Sequence, residues 1–375
     1  MDAMEITAKK DTTDAQKLVG LGSPFNQILL FAYLFFSTAL TTASIVVGLT
    51  WYVTHWKLSI VWNYNTSGLT FLATTAAEFI VSTYADKSEG KYGRRKPYVA
   101  VGYVVQAIGA LMVCIPPSTT SGTFVTFWFV ATSIIGSIGR GISANPYQSW
   151  IIEGCVDNAE YRAYQSFTAT FGQFLGGLFG GLLGTISPPI ASVISAVAGG
   201  IATFLIVWYV PTVVHRQVAA LPPLIPSMRI ASRTNEFRTI FTNRVLIGSA
   251  TGIFSSSAAL LLLIGFNITS NQSYVIYVIL IAVIATLAGL SINAAMNWVL
   301  KFFEKLRVYL ILAVAVALFS SAGFIASLFS NGTAFIFFLI FDIILASIYF
   351  PIVLIESLMV RDLIVYDTFT TGAKF

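Results

Sequence analysis

Long apolar runs recur along almost the whole chain. Each is roughly 18 to 25 residues long, the length that an α-helix needs to cross about 30 Å of hydrocarbon at about 1.5 Å per residue. We count about ten such runs between residues 26 and 358. Only 10% of the residues are charged, so a water-soluble globule would lack polar surface. The sequence therefore predicts an all-α polytopic membrane protein.

The predicted spans fall into two groups separated by a segment rich in Arg and Pro at 212–239, which predicts a cytoplasmic linker. In chain order the spans are 28–51, 60–84, 98–116, 123–145, 164–187, 190–210, 240–266, 274–298, 308–330 and 334–358. The predicted organisation is a cytoplasmic N-terminal segment (1–25), a six-helix bundle (26–211), the linker (212–239), an incomplete four-helix bundle (240–358) and a cytoplasmic tail (359–375).

Basic residues mark one face of the predicted membrane protein. The 21 Lys and Arg residues fall at or beyond the same end of the spans, with Lys57 and Arg140 as the exceptions. The positive-inside rule then places both chain ends in the cytoplasm. Four glycosylation sequons lie on the opposite face, at Asn65, Asn267, Asn271 and Asn331. These sequons favour the plasma membrane over an internal membrane.

Several classes of function are disfavoured. The net charge of +5 is explained by the membrane face that it marks, so no nucleic-acid partner is expected. The chain has no phosphate-binding P-loop and no cluster of metal ligands, and it has only two His residues, His55 and His215. The sequence therefore predicts no catalytic residue, no metal site and no cofactor.

Three stretches carry a family resemblance. The loop after the second span begins at Asp86 and ends with Gly93, Arg94 and Arg95, the fourth span contains Asn145-Pro146-Tyr147-Gln148, and residues 361–367 read Arg-Asp-Leu-Ile-Val-Tyr-Asp. This pattern resembles the glycoside-pentoside-hexuronide:cation symporters of the major facilitator superfamily, which include melibiose permease and sodium-dependent lysophospholipid symporters. The resemblance implies a major facilitator fold of six plus six helices. On that template, this chain has six plus four.

The resemblance also implies a cytoplasmic gating loop and a cation site. The residues of the predicted gating loop are Asp86, Gly93, Arg94 and Arg95. The alternative interpretation is a basic cluster that only fixes which side of the membrane the loop lies on. The family places two Asp residues one turn apart on the second helix, where this sequence has Thr74 and Glu78. Because only one acid is present, H+ is favoured over Na+ as the coupling ion, and the alternative is a structural acid.

Four residues are implied to bind substrate: Arg140, Asn145, Gln148 and Asp342. Arg140 would bind an anionic group of the substrate or pair with Glu78, unless it is a structural or snorkelling residue. Asp342 would complement a cationic group. The acid that sugar-transporting members place two residues before the proline of the fourth helix corresponds to Ala144, so a melibiose-like sugar site is not supported.

The predicted function is cation-coupled symport of a small organic solute by alternating access, in a chain surrounded by membrane lipid. One alternative is a non-transporting or truncated relative that acts as a receptor or scaffold, and another is an intramembrane transferase. A stripe of glycines in the fifth span would serve as a sliding surface or as static packing. The sequence specifies neither the solute nor an oligomeric state.

Overall fold

The structure is a computed structural model of the chain. It describes residues 21, 23–48, 51–52, 58–87, 92–116, 122–155, 158–211, 238, 242, 283–284, 287–289, 291–292, 294–296, 298–327, 335–341, 343–345, 347–348, 351–352, 354–355 and 358–359. Within these residues the chain is helical and contains no β-strand, which confirms the predicted all-α fold class.

The helices with complete bounds are α1 to α8, with one π-helical turn between α5 and α6. In chain order they are α1 (Pro24–Val47), α2 (Ile60–Lys87), α3 (Lys96–Cys114), α4 (Gly122–Gly154), α5 (Asn158–Ala163), the π turn (Tyr164–Ala169), α6 (Thr170–Ile186), α7 (Pro188–Tyr209) and α8 (Lys305–Ser327). Five stretches of the described residues are long and apolar enough to cross a membrane: Pro24–Val47, Lys96–Cys114, Gly122–Ile152, Pro188–Tyr209 and Lys305–Ala322.

Proline in the first turn starts three of these helices. Pro24 begins α1, Pro97 lies in the first turn of α3, and Pro188 begins α7. Proline suits this position because the amide that it lacks would have no intrahelical partner there. At α1 the Ser23 hydroxyl also accepts a hydrogen bond from the Asn26 amide, at 3.2 Å.

The fourth predicted span differs from the observed helix. We expected it to end near residue 145, before Pro146, but α4 continues through Pro146 to Gly154. Proline is tolerated inside membrane helices when neighbouring groups satisfy the backbone that it leaves free. The carbonyl that Pro146 leaves without its helical donor is that of Ile142, four residues earlier.

The chain divides into two compact units, residues 1–218 and 219–375. In the first unit α4 packs between α2 and α3, while α1 packs against α6 and α7. The second unit contains α8 and further helical stretches, and its core includes Val308, Val316 and Ile355. The predicted linker lies almost wholly outside the described residues, so the domain boundaries stay a prediction.

The glycine stripe of the fifth span packs α6 against α1 within the first unit. A Cβ added at Gly176 or Gly180 would overlap the backbone of α1 at Phe35 or Ala39. At Gly184 the same atom would lie 3.3 Å from the Cα of Ala43. These glycines therefore bring two helix backbones into direct contact, as small residues do in lipid.

Candidate functional site

A polar seam joins α2 to α4. The Thr74 hydroxyl donates to the Ser137 carbonyl at 3.1 Å, and two turns along, the Asn145 amide donates to the Ser82 hydroxyl at 3.3 Å. Thr74, Glu78 and Ser82 are spaced by four residues, so they lie on one face of α2. The seam therefore places the predicted coupling acid, Glu78, between two cross-links to α4.

Gly141 sets the distance between the two helices at the level of Glu78. A Cβ at this glycine would lie 2.8 Å from the Ala77 Cβ and 3.2 Å from the Glu78 backbone nitrogen, and it would overlap the Thr74 carbonyl. Glycine is thus the residue that allows α2 and α4 to approach at backbone distance here. Glu78 itself is half-buried, and the Ser82 hydroxyl donates to its backbone carbonyl at 2.7 Å.

Arg140 lies on a different face of α4 from the seam, and it is exposed. The other exposed face of α4 carries Phe124, Phe127 and Ile138, which are 44%, 68% and 37% exposed. At about 100° per residue, these side chains project about 140 to 160° away from Arg140. Large apolar side chains exposed on a membrane helix contact lipid, so Arg140 points away from the lipid-facing side.

Tyr33 of α1 is a site residue that the sequence analysis missed. It is buried, and it lies close to Ser143 of α4 and within electrostatic range of Arg140. Its ring packs on that of Tyr147, with centroids 4.7 Å apart. A tyrosine inside an apolar run is the only signal in the sequence, and it does not specify the partner helix.

The predicted substrate residues Asn145 and Gln148 are held by other side chains. Asn145 bonds Ser82 in the seam, whereas the Gln148 carbonyl oxygen accepts from the Gln165 amide at 3.3 Å. Gln165 lies in the π turn, is buried, and also donates to the Tyr161 hydroxyl at 2.9 Å. Short π-helical segments occur frequently at functional sites. The substrate role of Asn145 and Gln148 stays a prediction.

The predicted gating loop is described from Tyr92 onward. Gly93 has φ 84°, a left-handed conformation that favours glycine. Arg94 and Arg95 follow it and are partly buried. Lys96, the next residue, is buried: its ammonium group donates to the Val207 carbonyl at 2.9 Å and lies 5.3 Å from the Trp150 ring centroid. The loop is therefore anchored on α7 and α4.

Several predicted residues lie outside the described part of the chain. The side chain of Asp86 is among them, as are Asp342 and the sequons Asn267, Asn271 and Asn331. Asn65 is described and is exposed in the second turn of α2. The roles assigned to all these residues, and the choice between plasma and internal membrane, stay predictions.

A buried polar cluster ties α1 to α3 beside this site. The Gln106 amide donates to the Ser37 carbonyl at 3.2 Å and to the Thr41 hydroxyl at 2.9 Å, and its carbonyl oxygen accepts from the Ser37 hydroxyl at 3.3 Å. Gln106 is only 3% exposed. In hydrocarbon an amide needs such internal partners, so the cluster fixes how α1 and α3 pair.

Apolar helices long enough to cross a membrane, in a chain of two compact units, define a polytopic membrane protein. A family model described as MFS/sugar transport protein matches residues 72–374. The chain belongs to this family of the major facilitator superfamily, and it is a secondary transporter rather than an enzyme. A search of curated proteins finds no match.

Solved structures of transporters share the fold. A mutant of the nucleoside transporter NupG has a TM-score of 0.61 at 14% identity, covering 89% of this chain and 87% of that one. A bacterial homolog of the human lysosomal transporter Spinster has a TM-score of 0.58 at 14% identity, covering 90% of this chain and 80% of that one. A D-xylose-proton symporter has a TM-score of 0.50 at 13% identity, covering 92% of this chain and 90% of that one. These likenesses confirm the major facilitator fold that the loop motifs predict.

Proposed function

We propose that this transporter couples the movement of a small organic solute to protons and that Glu78 carries the coupling proton. The proposal depends mainly on one observation: a single carboxylate lies on the α2 face that meets α4 at backbone distance. A charged carboxylate is costly inside a membrane, whereas its protonated form is not, so proton binding changes the energy of this helix contact strongly.

The seam supports H+ over Na+. Thr74, the second position of the predicted cation site, donates its hydroxyl hydrogen to the Ser137 carbonyl, which ties it to the helix contact. Of the two predicted cation-site residues, Thr74 and Glu78, only Glu78 has a carboxylate. A hard cation such as Na+ is held by several oxygen ligands, whereas a proton needs one acceptor.

The test uses the full chain reconstituted in proteoliposomes with D-xylose and uridine as labelled probes, chosen because structural neighbours include a D-xylose-proton symporter and a nucleoside transporter. An inward proton gradient without Na+ should drive accumulation by the wild type and not by Glu78→Gln. Thr75→Val is a control on the same helix and should accumulate the probe like wild type, because Thr75 is exposed and bonds only within its own helix, to the Phe71 carbonyl.

Two results would refute the proposal. One is accumulation driven by a Na+ gradient and indifferent to pH. The other is an unchanged proton-driven rate in Glu78→Gln at equal protein density. A folded protein that moves neither probe under either gradient would instead favour a different solute or the receptor alternative, and the binding measurements described next separate these two.

A further inference from the structure

Among the residues that the structure describes, no acidic group pairs with Arg140. Within the described part of the chain, its guanidinium makes neither an ion pair nor a hydrogen bond. It is exposed on the face of α4 opposite Phe124, Phe127 and Ile138. A charged side chain within a membrane span is costly unless it meets a counter-charge or water, so a bound anion would stabilise Arg140 as a partner.

Glu78 is not that partner. The two residues lie on neighbouring helices, but within the described residues no ion pair joins the Glu78 carboxylate to the Arg140 guanidinium. Of the two roles that the sequence left open for Arg140, pairing with Glu78 is therefore not the one that this structure adopts.

The neighbours of Arg140 along its own face of α4 are small. Gly136 lies one turn before it and Ala144 one turn after it, so neither carries a charge or a bulky side chain. The backbone beneath is fixed, since the Ser143 hydroxyl donates to the Arg140 carbonyl at 3.1 Å. Tyr33 of α1 lies within electrostatic range of Arg140.

We propose that Arg140 is the anchor for an anionic group of the transported solute, either a carboxylate or a phosphate. The inference rests on the proposed transport function and adds the substrate class to it. A guanidinium presents two parallel N–H donors that match the oxygens of both groups, and it remains charged at any physiological pH. Small uncharged neighbours impose no competing carboxylate on the incoming anion.

Ligand binding to the purified full chain in nanodiscs tests this without knowledge of the natural solute. The probes are succinate, glycerol 3-phosphate and lysophosphatidate, with glycerol as the neutral control and chloride used to match ionic strength. Binding to the folded state raises the midpoint of thermal unfolding as the probe concentration exceeds its Kd. At least one anionic probe should raise the midpoint in the wild type, and glycerol should not.

The variants separate a site from general charge effects. Arg140→Gln should raise the Kd about tenfold or more, the change expected for one charged hydrogen-bonding pair. Arg140→Lys keeps the charge but not the planar pair of donors, so its Kd should lie between those of wild type and Arg140→Gln. Arg307→Gln is the matched control, because Arg307 is an exposed arginine on α8 that pairs with Glu304 at 3.1 Å.

The outcomes are distinct. A response to lysophosphatidate alone assigns the anion to a lipid headgroup, whereas a response to glycerol 3-phosphate or succinate assigns it to a soluble solute. No response to any anion in the wild type, or an equal response in Arg140→Gln, overturns the inference. If anions fail to bind while D-xylose or uridine accumulates under a proton gradient, the proposal of proton-coupled transport stands and the anion site is refuted. If anions bind at Arg140 but no probe is coupled to protons, the anion site stands and proton coupling is refuted.

Discussion

Replacing Gly141 by Ala tests whether close approach of α2 and α4 is required. Alanine is favoured over glycine in a helix by roughly 0.8 to 1.0 kcal/mol. At Gly141, however, the added Cβ would lie 2.8 Å from the Ala77 Cβ, and forcing a methyl group into a packed contact costs about 1 to 3 kcal/mol. We therefore expect Gly141→Ala to be neutral to destabilising, by up to about 2 kcal/mol.

Gly136 is the matched control on the same helix. A Cβ there would meet its nearest atom, the Ala110 nitrogen, at 3.6 Å, which is ordinary contact. Gly136→Ala should therefore be neutral or stabilising, and the two variants should differ by about 1 to 3 kcal/mol. Reversible unfolding in mixed micelles of dodecyl sulfate and maltoside measures the difference. Equal free energies of unfolding for the two variants would refute the close helix contact at Glu78.

Two further variants test the packing of the first unit. Gln106→Leu removes a buried amide that makes three bonds to α1, and it leaves the Ser37 hydroxyl without its acceptor, although Thr41 still donates to the Ser37 carbonyl. We expect a loss of about 1 to 3 kcal/mol in the same unfolding assay, and no loss would contradict the polar tie between α1 and α3. In Gly199→Ala the added Cβ would overlap the Tyr103 hydroxyl, so this variant should be destabilised. Adding Tyr103→Phe removes the hydroxyl and should partly restore the stability of the Gly199→Ala protein, which gives a non-zero coupling energy in the double-mutant cycle. Strictly additive effects of the two substitutions would contradict this contact.

Long apolar runs were sufficient to predict the helices, because a span that must satisfy its backbone in lipid has few alternatives. The run at 190–210 corresponds to α7 almost residue for residue. Prediction failed at Pro146, where the neighbours of the fourth helix decide whether a proline ends it. No periodicity in one segment reveals those neighbours.

Sequence alone could identify a site residue only where its charge or polarity is energetically costly inside an apolar helix, whatever its neighbours are. Glu78 and Arg140 stand out because charge is rare in apolar runs, and Gln106 has the same signal in weaker form. Tyr33 and Gln165 could not be identified, since their roles depend on which helix lies opposite and on the π turn at 164–169. The close approach of Gly141 to α2 likewise depends on which helix lies opposite, and only the structure shows it.

Proton movement driven by solute is the most direct measure of Glu78 as the proton carrier. Proteoliposomes holding a pH-sensitive dye and no imposed gradient receive external solute, and the internal pH is followed. Wild type should acidify the interior as solute enters, whereas Glu78→Gln should exchange solute across the membrane with no change in internal pH. Acidification by Glu78→Gln at the wild-type rate would show that another group carries the proton.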